Sequence, residues 1–109
     1  MEKRRHDRQL CSSLIEVSVL AGKSRGSSFC AVIEDVSRAG VCLLMDGALE
    51  VGSMVGLRPR DRVVQAYVRH CTLCAPGEYR IGAEFVDYEW TSEDGWPDHI
   101  FRVHPGIPS

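Results

Sequence analysis

The stretch FCAVIEDVSRAGVCLLM, residues 29–45, decides how this chain folds. FCAVIED (29–35) and VCLLM (41–45) are short apolar runs of strand length, rich in branched and aliphatic residues. DVSRAG (35–40) lies between them and overlaps the first. Asp35 is an acceptor, Ser37 donates or accepts, and Gly40 lets the backbone approach a neighbour closely. Asp, Ser and Gly are also what a turn uses for its own hydrogen bonds. The stretch therefore predicts a strand–turn–strand junction.

Outward from this junction the same signal repeats. In LIEVSVL (14–20), Ile15, Val17 and Val19 alternate with Glu16 and Ser18, the period-two pattern of a half-buried strand. AGKSRGSS (21–28) is a loop by composition. DGALEVG (46–52) precedes a weaker strand candidate, MVGLRP (54–59). VVQAYVRH (63–70) alternates again, with Val64, Ala66 and Val68 on one face. CTLCAPG reads as a loop, and EYRIGAEFV (78–86) places Tyr79, Ile81, Ala83 and Phe85 on one face. About six short strands with hairpin-length connections predict an antiparallel barrel or sandwich. In TSEDGWPDHIFRVHPG (91–106), capping residues and Pro97 predict a short helix closing one barrel mouth, with Trp96, Ile100 and Val103 as its apolar stripe.

A chain of 109 residues holds one core. Its net charge of −2 excludes a polycation that grips nucleic acid by charge alone, so no DNA or RNA partner is expected. Charge is nevertheless uneven. Lys3, Arg4, Arg5 and Arg8 crowd the start, and residues 87–98 hold Asp87, Glu89, Glu93, Asp94 and Asp98 without a cation. Five cysteines, at 11, 30, 42, 71 and 74, read as reduced thiols of a cytoplasmic protein. No secretory signal or membrane-spanning segment is visible.

In RRHDR (4–8), Arg4 and Arg8 are four apart and point to one side whether helical or extended. Extended, they lie roughly 13 Å apart, a span suited to gripping a sizeable anion from two ends. Arg4-x-x-x-Arg8 before the first strand, Asp35-x-Ser37-x-x-Gly40 after the second, and Gly82-x-x-Phe85 in the last together resemble the PilZ domain family. The resemblance covers residues 3 to about 87. It implies a six-stranded antiparallel β-barrel with a short C-terminal helix. On that division residues 1–10 are a flexible arm, 13–87 the barrel, and 88–109 the helix and tail.

The resemblance also implies a ligand, cyclic di-GMP, and no further cofactor. Arginine forks match the O6 and N7 acceptors of guanine and the phosphate oxygens. The donating edge of guanine suits a carboxylate. The resemblance thus assigns Arg4 and Arg8 to a clamp on guanine and phosphate, with Arg5 as a further phosphate contact. It assigns Asp35 and Ser37 to a guanine edge, and Gly40 to close approach. Arg38 and Ala39 fill the interior of the motif, where small residues are frequent; Arg38 either adds a contact or crowds the pocket. A flat side chain that stacks on guanine is not placed, with Tyr67 and Arg69 as candidates. The arm is expected to be loose without ligand and ordered with it. The sequence begins three residues before Arg4, and no upstream domain is expected to complete the site.

These features predict a non-enzymatic cyclic di-GMP receptor or adaptor in bacterial second-messenger signalling, acting on a downstream protein that the sequence does not identify. One alternative is a PilZ-fold adaptor that binds protein but not nucleotide. Another is a zinc or thiol site at HCTLC (70–74), where Cys71 and Cys74 have half-site spacing but lack a second half. The four histidines lie far apart and no serine has a nucleophile-elbow setting, so catalysis is not expected.

Overall fold

The computed structural model describes residues 9–97 and 100–101. Six strands make the body: β1 (Gln9–Ala21), β2 (Ser28–Val36), β3 (Gly40–Met45), β4 (Met54–Arg58), β5 (Val64–Ala75) and β6 (Glu78–Phe85). A two-residue strand, β7 (Ile100–Phe101), lies beside Leu10 and Cys11. The hydrogen-bonded order β2-β3-β6-β5-β4-β1, with β1 also paired to β2, closes an antiparallel barrel.

Alternation explains which face of each strand turns inward. Ile15, Val17 and Val19 of β1 are buried, as are Val64, Ala66 and Val68 of β5 and Ile81, Ala83 and Phe85 of β6. They meet Ile33, Leu43, Val55 and Leu57 in one continuous core. A fully buried side chain of this kind is worth about 1.5–3 kcal/mol, and closure gives each of the six strands a hydrogen-bonded neighbour on both sides.

Two expectations change. CTLCAPG is not a loop through its whole length: β5 continues to Ala75 and pairs with β6 in a long hairpin, Leu73 opposite Tyr79 and Ala75 opposite Glu78. The turn is only Pro76–Gly77, with Gly77 at φ +73°. Residues 91–97 form turns, and of the rest of the segment expected to hold a short helix only 100–101 are described. Asp94 draws its carboxylate back onto Thr91, accepting from its N–H at 3.3 Å and its hydroxyl at 3.2 Å, and Gly95 takes φ +84°. Those bonds are of the kind that caps a helix N-terminus, but the left-handed backbone at Gly95 ends the turn they begin. Trp96 is buried by this turn and does not lie on a helix stripe. Ile100 pairs as strand, and Val103 lies outside the described residues.

Leu43→Ala, in the fully buried centre of β3, is expected to lower unfolding free energy by about 2–5 kcal/mol in chemical denaturation. Leu14→Ala, on the exposed face of β1, is expected to change it by about 0.5 kcal/mol or less.

Candidate functional site

The DVSRAG corner owes its shape to an irregularity in β2. Ile33 faces Leu43 and Asp35 faces Cys42, so Glu34 is one residue more than β3 can match. Strict alternation through Ile33-Glu34-Asp35-Val36 would turn Asp35 inward. The bulge instead leaves Ile33 and Val36 in the core and puts Glu34 and Asp35 both on the outer face. β1 has a matching irregularity between Leu10 and Ser13. Its first residues then fall into register with the corner, Gln9 opposite Val36 and Leu10 opposite Asp35.

Past Val36 the chain reverses tightly. Ser37 N–H donates to the Gly40 carbonyl at 2.8 Å, and Gly40 N–H to the Ser37 carbonyl at 3.4 Å. The Ser37 hydroxyl donates a long bond, 3.4 Å, to the same Gly40 carbonyl, and the residue is only 6% exposed. Gly40 is required by packing: a Cβ there would stand 2.5 Å from the Ala83 carbonyl oxygen of β6. The Ala39 carbonyl accepts from Phe85 N–H at 2.8 Å, joining the turn to the last motif, Gly82-x-x-Phe85.

On the outer wall, register aligns Asp35, Cys42, Gly82 and His70 in one row across β2, β3, β6 and β5. The row spans about 14 Å at ordinary strand spacing. Gly82 makes a notch in it, and His70 fills the notch: a Cβ on Gly82 would meet the imidazole Nε2 at 2.1 Å. Around the row the charges are paired. Arg80 Nε donates to Glu34 at 2.8 Å and Arg69 Nε to Glu84 at 2.7 Å. Arg38 bridges to Glu89 at 3.2 Å, both side chains well exposed. Such an exposed pair is worth about 0–1 kcal/mol and exchanges partners readily. Tyr67 and Arg69, candidates for stacking, pack on each other with the guanidinium 5.6 Å from the ring centroid.

Beneath the corner lies Cys11. Burial, reinforced by the Asp35 carboxylate, pushes its thiol up to about 11, so it stays protonated and unreactive. Cys71 is half-buried and Cys74 exposed. Among the described residues no group of three or more His, Cys, Asp or Glu is placed to hold a metal ion. No described helix is long and apolar enough to cross a membrane.

The tail locks onto the same corner. Trp90 N–H donates to the Arg38 carbonyl at 3.0 Å, and its indole Nε1–H to the Trp96 carbonyl at 2.7 Å. Trp96 Nε1–H donates to the Tyr88 hydroxyl at 3.0 Å, and that hydroxyl donates to Asp94. Tyr88 and Phe85 meet edge to face, 5.1 Å between centroids. Burial and the Asp94 bond push the Tyr88 phenol up to about 12. Burial opposes ionisation of Asp94, but the bonds from Tyr88 and Thr91 outweigh it and hold the carboxyl below its ordinary value.

Asp35, Ser37 and Gly40 thus lie at one corner, at the end of β2, in the turn and at the start of β3. Arg4, Arg5 and Arg8 lie outside the described residues. The row through Gly82 and His70 was missed in the sequence because these residues are paired only by strand register. The G-x-x-F spacing was the one local signal that pointed toward it.

The fold is PilZ-like. The MrkH–c-di-GMP complex of K. pneumoniae superposes with a TM-score of 0.57 and 16% identity, over 79% of this chain and 44% of that one. The c-di-GMP-bound PilZ domain of YcgR from Escherichia coli gives 0.56 and 16%, over 79% of each chain. The match therefore spans less than half of MrkH. No family model matches the sequence, and no curated protein matches it.

Two outcomes test this architecture. Gly40→Ala is expected to destabilise the fold by about 1–3 kcal/mol in denaturant melts, since backbone must move to admit the methyl. In alkali, the raised Tyr88 pKa means that its contribution to stability is whole below 10.0 and is lost as pH climbs through about 12. Near-UV circular dichroism of the aromatic cluster should fade over that interval, and Tyr88→Phe should abolish the transition.

Proposed function

We propose that this chain is a receptor for cyclic di-GMP, binding it on the outer wall of the barrel between the DVSRAG turn and the arginine arm. The observation that carries this reading is the register of β1. Gln9 lies opposite Val36 and Leu10 opposite Asp35, so the peptide bond that follows Arg8 is anchored beside Asp35. The described start of β1, which follows the cationic segment in sequence, therefore lies beside the carboxylate. The c-di-GMP complexes of MrkH and the YcgR PilZ domain, which share the fold, supply the ligand class.

In this reading Asp35 accepts from the N1–H and N2–H₂ edge of guanine, and Arg4 and Arg8 close over guanine and phosphate as forks. Arg5 adds a phosphate contact. Ser37, almost fully buried, and Gly40, packed on Ala83, chiefly set the turn that presents Asp35. Arg38 is held only by an exposed ion pair with Glu89, so turning it to a phosphate costs no more than about 1 kcal/mol. The chain acts by binding and not by catalysis, as a cytoplasmic receptor or adaptor. Ordering of residues 1–8 over the ligand presents a new surface to a downstream protein.

Isothermal titration with cyclic di-GMP tests the reading and reports stoichiometry. Saturable binding is expected, weakened by added salt. Arg8→Ala and Asp35→Ala should each weaken it by about 1–3 kcal/mol without lowering the melting temperature. Folded protein that gives no binding would overturn the proposal and favour the nucleotide-independent adaptor.

A further inference from the structure

β5 outruns its neighbour. It is 12 residues long and β4 only 5, and β4 pairs with it only over Val64–Tyr67. The Ser53 carbonyl and Gly52 N–H add two bonds to Val68, and there the support ends. Among the described residues nothing pairs with Arg69–Ala75 on that side, although β6 pairs with them on the other. The ring of strands is closed, yet a strand edge roughly 20 Å long projects beyond β4.

Unused edges are normally guarded by lysine, proline or charge. Arg69–Ala75 contains neither lysine nor proline, and Arg69 is its only charged residue at neutral pH. Bulges at Arg69 and Cys74 bracket it but leave His70–Leu73 in regular pairing with Gly82–Tyr79. Two large apolar side chains flank the open edge, Val51 at its start and Leu73 near its end, 60% and 59% exposed. Backbone donors and acceptors in search of a strand therefore coincide with apolar surface in search of cover.

We propose that this edge is a self-association surface, on which a second copy of the chain pairs its own β5 antiparallel about a two-fold axis at Thr72.

The charge pattern and the side chains suit a copy of the same edge. A dyad at Thr72 sets Arg69 opposite Ala75 of the second copy, so no like charges face. Beyond Ala75 lies Glu78, its partner on β6, which places an acid near the incoming guanidinium. Leu73 falls opposite Cys71, covering its exposed surface, and Thr72 meets Thr72, a favourable cross-strand pair. The contact is isologous, so it closes at two copies and does not propagate.

Sedimentation in reductant, over about a hundredfold range of protein concentration, tests the proposal. A monomer–dimer equilibrium is expected that does not require nucleotide. Leu73→Lys should shift it to monomer, with the melting temperature that the wild-type chain shows at dilutions where it too is monomeric. In a background with Cys30, Cys71 and Cys74 replaced by serine, Thr72→Cys should give a covalent dimer on mild oxidation, and Leu14→Cys should not. Hydrogen exchange on the wild-type chain should show Arg69–Ala75 amides gaining protection as concentration rises. A wild-type chain that stays monomeric throughout, a folded Leu73→Lys variant that dimerises as before, or a dimer without added protection on this edge would each overturn it.

Discussion

The extra residue in β2 is the constraint on which the corner rests. Ile33 and Val36 are both almost wholly buried and belong to the core, yet they are three apart, a spacing that simple alternation cannot bury on one face. Glu34 absorbs the mismatch. The core thus dictates that Asp35 faces solvent, because releasing it inward would expel Val36. The companion irregularity in β1 keeps the two strands in step, so that the start of the barrel arrives beside Asp35. A carboxylate on the outer wall and the root of a cationic segment are placed together by hydrophobic packing, not by attraction between them.

The residues of the motif at this corner do not all answer to the same constraint. Gly40 answers to the Ala83 carbonyl, and Ser37 to its own turn. Asp35 and Arg38 are the members with side chains turned outward. A similar division runs through Gly82-x-x-Phe85. Phe85 is core and bonds the turn through its N–H, and Gly82 clears space for His70. Residues that look like one signature in the sequence therefore answer to different forces.

Most of the barrel was legible because burial imposes a period of two, and β1, β5 and β6 display it plainly in Ile15-Val17-Val19, Val64-Ala66-Val68 and Ile81-Ala83-Phe85. Three things were not. The bulge at Glu34 leaves no mark in composition, since Glu and Asp are equally at home in a turn. The run of β5 through Cys71–Ala75 lacks alternation because its inward side chains pass beyond the core, as the exposure of Leu73 shows. The tail carries helix-capping residues whose side chains satisfy a turn instead. Of the site, Asp35, Ser37 and Gly40 could be named from their spacing. The orientation of Asp35, and the alignment of Gly82 with His70, depend on register that only the closed barrel defines. Arg4, Arg5 and Arg8 lie outside the described residues.

The bond from Trp90 N–H to the Arg38 carbonyl joins the DVSRAG turn to two indoles, each at most 5% exposed. Buried indoles emit at shorter wavelength than wetted ones, and a shift of one main-chain carbonyl would reach both rings through Trp90 and the Trp96 carbonyl it holds. Having no other tryptophan, the molecule carries an internal optical gauge of that turn's position, in which both emitting rings answer to the same carbonyl.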